Sequence, residues 1–216
     1  MMKSLIDYAH TYFLCLMRPG RMHDWLKHGI PLWEGEVLPP EPTLAQQLGL
    51  SWAFAVLQGI SKLVLLNVIL QALLSYQNEN GFFFDLVDTQ NGLIPYYVML
   101  FSTSLDIIFF PVITLIITEF WVWVVGLFAR WMHAEGESTE IAHQVTNVAL
   151  SSNFFLAVPI IGVFLQKIAW LFLMYTGLRR NLGATRSLTI VILIAPTVLF
   201  LMAIALMVLI ILSLAG

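Results

Sequence analysis

The stretch Ala157-Val158-Pro159-Ile160-Ile161-Gly162 interrupts an apolar run that otherwise continues from Ile141 to Leu178. Whether the chain turns there or passes straight through sets how many times it crosses a membrane. Composition requires that it cross one. Hydrophobic residues make up 59% of the 216 residues, charged residues 11%, and the mean hydropathy is +0.86; soluble domains hold about half apolar and about a quarter charged residues. The length leaves room for four or five membrane helices and a short tail, and none for a large soluble catalytic domain.

The ten Lys and Arg residues test the turn. With Ile141 to Leu178 as one crossing, Lys3, Arg18, Arg21, Lys27 and Arg130 face one side and Arg179, Arg180 and Arg186 the other, while Lys62 and Lys167 stay in the membrane. With a reversal at Pro159 to Gly162, all eight aqueous residues share the N-terminal side, as the positive-inside rule favours. A competing topology splits Leu93 to Met132 near Asp106 to Pro111 and leaves Arg130 alone outside. Turn chemistry separates the two: Val-Pro-Ile-Ile-Gly supplies a helix stop and a φ-permissive residue, whereas Leu-Asp-Ile-Ile-Phe-Phe-Pro has neither glycine nor a polar loop. The arms, residues 143–158 and 163–178, would each reach about 24 Å, enough for two short spans or a re-entrant hairpin. We read them as two short spans.

Outward from the hairpin, Ser51 to Tyr76 forms the first span, interrupted by Gln58, Lys62, Asn67 and Gln71; Lys62, Asn67 and Gln71, five and then four positions apart, are expected to share a face toward the bundle. Leu93 to Met132 forms the second; at about 58 Å it must tilt, protrude or kink at Pro111. Between them Gln77 to Gly92 is a polar connection without Lys or Arg. Leu188 to Leu214, containing Pro196, is the last span. At the other end Leu5, Ile6, Ala9, Phe13, Leu16 and Met17 recur at helical spacing up to Pro19-Gly20. They predict an N-terminal amphipathic helix, lying on the membrane or on the protein's own spans. Residues 18–48 follow as an interfacial linker with Trp25, Trp33 and Pro39-Pro40-Glu41-Pro42. No signal-peptide pattern is present, so the N-terminus is expected to be retained. Cys15, the single cysteine, excludes an internal disulfide and suits a buried small hydrophobe. The expected fold is therefore all-α: a polytopic membrane protein of five transmembrane helices, the third and fourth a short hairpin. Residues 1–48 make the cytoplasmic helix and linker, and residues 49–216 the membrane domain.

Pro19 followed by Trp25-Leu26, then Phe155-Leu156-Ala157-Val158-Pro159-Ile160-Ile161-Gly162, Ile168-Ala169-Trp170, Tyr175-Thr176-Gly177-Leu178-Arg179 and Pro196 together resemble the Yip1-domain family. Pro159, Gly162, Trp170, Gly177 and Pro196 carry the likeness. It implies five membrane helices, a cytoplasmic N-terminus and a C-terminus on the opposite side. Eukaryotic members act in membrane trafficking with small GTPases; their Asp-Leu-x-Gly-Pro signature is absent here, so the chain looks like the prokaryotic type.

Charged groups inside a membrane are functional candidates because burying them costs several kcal/mol unless they are paired or wetted. Lys62, Asp106, Glu119 and Lys167 qualify. A Lys pairing with an acid would make either a structural ion pair or part of a polar conduit. His133 and His143, with Glu135, Glu137 and Glu140 between them, are weak metal candidates whose spacing matches no ligand motif, and a solvated loop explains them better. No nucleophile with a base, no phosphate loop and no Cys/His metal spacing is present. No cofactor is expected. The leading expectation is a non-enzymatic, Yip1-type integral membrane protein of the bacterial plasma (inner) membrane, acting in membrane organisation, trafficking or partner scaffolding. The alternative is a small transporter or channel component with a polar intramembrane site. The lipid bilayer is the expected partner, a cytoplasmic or membrane protein a further candidate, and nucleic acid is not expected; the sequence leaves the oligomeric state open.

Overall fold

The structure, a computed structural model, describes residues 2–29, 41–80, 93–134 and 136–215. Among these residues every regular element is helical. In chain order they are α1 (Met2–Met17), α2 (Pro19–His28), α3 (Leu44–Asn80), α4 (Leu93–Trp131), α5 (Ser138–Leu150), a 3-10 segment continuing it (Ser151–Ala157), α6 (Gly162–Arg180) and α7 (Arg186–Ala215). Three of them are long and apolar enough to cross a membrane: Leu44–Ile69 of α3, Tyr97–Trp131 of α4 and Arg186–Ser213 of α7. Their outer faces expose large apolar side chains such as Val64, Phe109, Ile116, Phe200 and Leu209. So large an apolar surface suits lipid and not water.

The core forms around α5. Nine of its thirteen residues are buried, among them Ala142, Val145 and Ala149, against Val125 and Ala129 of α4, Leu173, Met174 and Leu178 of α6 and Ile192 of α7. Small side chains allow the close approach: Gly126 of α4 lies opposite Ala142. This limb also carries Gln144, Thr146, Asn147, Ser151, Ser152 and Asn153, all buried, which lowers its hydropathy; hydrogen bonds satisfy most of their polar atoms, while Asn147 Oδ1 and Ser152 Oγ have no partner among the described residues.

The chain reverses between Ala157 and Gly162. Val158 N–H donates to Phe155 O (3.0 Å) and Ile161 N–H to Pro159 O (2.7 Å). The 3-10 segment and α6 then run antiparallel, with Gln166 bonded to Asn153 and Gly177 against Val145. The glycine does not serve as the sequence suggested. The left-handed residue is Ile160 (φ 67°), a strained conformation for a β-branched side chain. Gly162 instead opens α6 where space is short: a Cβ there would lie 2.5 Å from Phe155 O and 3.2 Å from Leu156 O. The limbs also begin and end elsewhere than at 143–158 and 163–178, since helix starts already at Ser138 and continues to Arg180.

Three boundaries differ from the sequence reading. Pro19 opens α2 instead of closing α1, its missing N–H being harmless in a first turn, and a helix therefore occupies part of the expected linker. Gly29 (φ 64°) ends that helix, donating to Trp25 O at 2.8 Å. α3 starts at Leu44, so the boundary placed between residues 48 and 49 falls inside a continuous helix. Thr43 and Gln46 set that start as a capping box, Gln46 N–H donating to Thr43 Oγ1 (3.4 Å) and Thr43 N–H to Gln46 Oε1 (3.3 Å). Of the polar connection at Gln77 to Gly92, residues 81–92 lie outside the described residues, as do residues 30–40 of the linker.

The N-terminal helices pack onto the bundle. Tyr12 and Cys15 of α1 are buried, the thiol pushed up to about 12 by loss of hydration, so Cys15 behaves as a small hydrophobe. Met22 and His23 of α2 are fully buried, and Asp24 pairs with Arg180 at the end of α6 (3.4 Å). His23 lies where α2 meets α5 and α6: a Cβ on Gly177 would stand 2.9 Å from its Nε2 and 2.8 Å from Val145 Cγ1. Among the described residues neither ring nitrogen has a hydrogen-bond partner, and burial lowers the imidazole pKa to about 4.

Two outcomes follow from this packing. Gly162→Ala should lower stability by about 1–3 kcal/mol through overpacking against backbone, whereas Gly49→Ala, with nothing within 4 Å of its Cβ, should not; thermal melts of detergent-solubilised protein compare them. His23 is neutral in the fold and gains a proton on unfolding below its ordinary pKa of about 6.5. Stability should therefore fall between pH 6.5 and pH 4, by on the order of 3 kcal/mol in all. Melts across that range should lose this slope in His23→Leu.

Candidate functional site: a polar chamber within the helix bundle

Two long helices meet closely at the middle of α3. A Cβ on Gly59 would lie 2.5 Å from Ile107 Cδ1 and 3.3 Å from Thr103 Cγ2 of α4, so α4 approaches α3 at its side-chain-free position. Pro111 lies inside α4 and lacks an N–H, which frees the carbonyl four residues earlier, that of Ile107. Trp52 of α3 supplies the missing donor, its indole Nε1–H reaching Ile107 O at 3.0 Å. A backbone group that hydrocarbon could not satisfy thereby becomes an interhelical contact.

Beside this contact the helices line a half-open chamber of about 320 Å³, within the range of small-molecule sites; Lys62 and Asp106 on its lining are exposed. α3 contributes Gln58 and Lys62, α4 Thr103, Asp106, Thr114 and Thr118, and α5 Thr146; the 3-10 segment adds Asn153, and α6 adds Gln166 and Trp170. Apolar wall comes from Ile107, Ile113, Ile117, Leu156 and Met174. Trp170 packs on Trp121 with ring centroids 5.0 Å apart.

A hydrogen-bond chain stiffens one wall. Gln166 Nε2 donates to Asn153 Oδ1 (3.0 Å) and Asn153 Nδ2 to Ser51 Oγ (2.9 Å). Ser51 Oγ donates to Leu150 O (3.4 Å), which also accepts from Tyr12 OH (3.1 Å). Burial pushes the Tyr12 phenol up, so it remains a protonated donor. Thr118 and Thr146 spend their hydroxyl protons on the backbone, on Thr114 O (2.7 Å) and Ala142 O (2.9 Å). Their oxygens can only accept from anything in the chamber.

No family model, no curated protein and no solved structure matches the chain. The chamber itself therefore carries the functional reading.

Of the four charges that the sequence suggests for the membrane, all are exposed; Lys62 and Asp106 line the same chamber, whereas Glu119 and Lys167 do not. Among the described residues no ion pair joins any two of them. Asn67 and Gln71 do not face the bundle as expected: both are exposed and bond along the helix, Gln71 Nε2 to Asn67 Oδ1 (3.3 Å). Gln58 and Lys62, four residues apart, are the polar residues of α3 that line the chamber. Among the residues carrying the family likeness, Trp170 lines the chamber, Gly162 starts α6, Gly177 forms the junction with His23, Pro159 sits in the turn, and Pro196 lies within α7. His133 takes a left-handed turn after α4 and His143 lies half-buried on α5; among the described residues no three potential metal ligands converge, and Glu135 lies outside them. Sequence reading missed Gln166 and the threonines, since Thr and Gln in an apolar run carry no motif. Spacing offers a partial signal: Thr103, Asp106, Thr114, Thr118 and Trp121 share helical periodicity on one face of α4.

The Trp52–Pro111 relation is testable by a double-mutant cycle. Trp52→Phe leaves Ile107 O unsatisfied and should cost about 1–3 kcal/mol. In a Pro111→Ala background, where the helix supplies its own N–H, the same change should cost about 1 kcal/mol less. Additive effects in denaturant titrations would show that the indole does not replace the missing donor.

Proposed function

We propose that the chain is a small transporter or channel component, non-enzymatic, whose working site is the chamber at Lys62 and Asp106. One observation carries this reading: a cation and a carboxylate from two different long helices line one cavity without forming an ion pair with each other. Both side chains are exposed, so neither is sequestered by the packing of the fold. Held apart among amides and hydroxyls, the two charges are available to a polar ligand or to water. Glu119 and Lys167 fall outside this role.

Five crossings are the topology we favour. At 1.5 Å per residue the 19 residues of α6 reach about 28 Å, and α5 with its 3-10 segment reaches about 33 Å, each close to a hydrocarbon thickness of about 30 Å. Such crossings put Arg130, Arg179, Arg180 and Arg186 with the N-terminus. The positive-inside rule makes that side the cytoplasm of a bacterial plasma membrane.

A second reading keeps the Yip1-type scaffold, in which the cytoplasmic face engages a protein partner. It is supported by the open cleft that Arg18, Arg21, Asp24 and Arg180 surround where α2 meets the end of α6. Flux assays discriminate between the two. Proteoliposomes tested with radiolabelled amino acids, inorganic ions and fluorescent phospholipids should move one class across the bilayer. Asp106→Asn should slow that movement by about tenfold or more, while Glu119→Gln should leave it near wild type. No movement of any class above empty vesicles, or unchanged movement in Asp106→Asn, would leave the scaffold reading standing.

A further inference from the structure

Two features of the chamber restrict its occupant. First, it presents one positive and one negative side chain, Lys62 and Asp106. A ligand of a single sign would pair with one and leave the other without a counter-charge, whereas a zwitterion is complementary to both. Second, the chamber is not sealed from the bilayer. A smaller crevice of about 180 Å³ lies between α3 and the hairpin tip, and Gln58 and Lys62 line both spaces. The rest of that crevice is almost wholly apolar: Leu65, Leu66 and Ile69 of α3 face Ile160 and Val163 at the tip. Ile160 is 81% exposed and holds its strained left-handed backbone at this rim. Local strain maintained against its cost is a mark of functional positions. A water-soluble solute would gain nothing from such an entrance, while a lipid already in the bilayer would lose little hydrophobic contact in passing through it.

We propose that the chamber binds a zwitterionic phospholipid that enters laterally between α3 and the hairpin tip. The headgroup phosphate lies at Lys62 with Gln58 and the ammonium at Asp106; one chain follows the Ile113–Ile117 wall of α4 and the other stays in the crevice toward the bilayer. The lining along α4 runs from Thr103 to Trp121, about 27 Å of helix, long enough for a headgroup and a chain end to end. This assignment rests on the chamber being the working site, and it names the class of molecule that the site takes.

The test is equilibrium binding to the full-length purified protein in detergent, read by native mass spectrometry with three probes. These are dioctanoyl phosphatidylethanolamine, dioctanoyl phosphatidylglycerol, which lacks the ammonium, and free phosphoethanolamine, which lacks the chains. Wild type should hold the ethanolamine lipid about tenfold more tightly than the glycerol lipid, a difference of about 1.4 kcal/mol. Asp106→Asn should erase that preference, and Lys62→Gln should weaken both lipids. Val163→Trp, at the crevice rim and away from both charges, should weaken both lipids without disturbing the melt, so the proposal stays testable if a charge variant folds poorly. Equal binding of the two lipids by wild type, or a preference unchanged by Asp106→Asn, overturns the zwitterion assignment. Free phosphoethanolamine binding as tightly as the lipid overturns the lateral lipid route and leaves the chamber as a site for soluble solutes. Binding of all three probes indifferent to both Lys62→Gln and Asp106→Asn overturns the chamber as a ligand site altogether.

Discussion

The fold depends on satisfying one polar limb. α5 and the 3-10 segment bring amides, hydroxyls and a helix end into the centre of an otherwise apolar bundle, where each unmet hydrogen-bonding group would cost several kcal/mol. Their partners come from almost every other element. Asn147 Nδ2 donates to Pro42 O just before α3 (3.1 Å), and Gln144 Oε1 accepts from Asn181 Nδ2 after α6 (3.1 Å). Leu150 O accepts from Tyr12 of α1 and Ser51 of α3, and Asn153 bridges Ser51 to Gln166. The limb therefore orders the N-terminal helices, α3 and α6 around itself. Apolar packing alone would leave their relative positions loose, because lipid competes equally for apolar surface.

The same chain of bonds explains why a cavity can persist beside it. Asn153 and Gln166 are held by each other and by Ser51, and Trp52 holds the Pro111 region of α4 through Ile107 O. The walls are fixed independently of whatever fills the space between them. Preorganised polar groups that bind without rearranging first lose less free energy to ordering when a ligand arrives.

Much of this was legible in the sequence, for identifiable reasons. The reversal at Val158 to Ile161 could be inferred because charge distribution constrains topology whatever the local packing. The role of Gly162 could not, since a close approach to Phe155 O depends on where the 3-10 segment ends, and a turn with left-handed Ile160 has no local signature. Pro19 is equally compatible with ending a helix and with beginning one, and only the packing of Met22 and His23 decides between them. The capping box at Thr43 and Gln46 was readable as a T-x-x-Q pattern. The face of Lys62, Asn67 and Gln71 was misread because a spacing of five and then four drifts around the helix; Gln58 and Lys62, four apart, keep to one side. Lys62 and Asp106 stood out as costly charges, but their sharing a chamber follows from the Gly59 contact, a tertiary fact.

Helix lengths finally explain where the chamber opens. α3, α4 and α7 have 37, 39 and 30 residues, whereas α6 has 19 and the limb before it 20. The hairpin tip meets α3 between Gln58 and Ile69, and α3 continues 18 residues past Lys62 to Asn80, about 27 Å of further helix. At the depth of the tip the bundle thus changes from long helices packed around a hairpin to long helices alone. Side chains that were covered below become uncovered there, and Lys62 and Asp106 line the half-open chamber as exposed residues. The position of the turn therefore does more than reverse the chain: it leaves Lys62, beside the tip, and Asp106 exposed at the edge of the packed core.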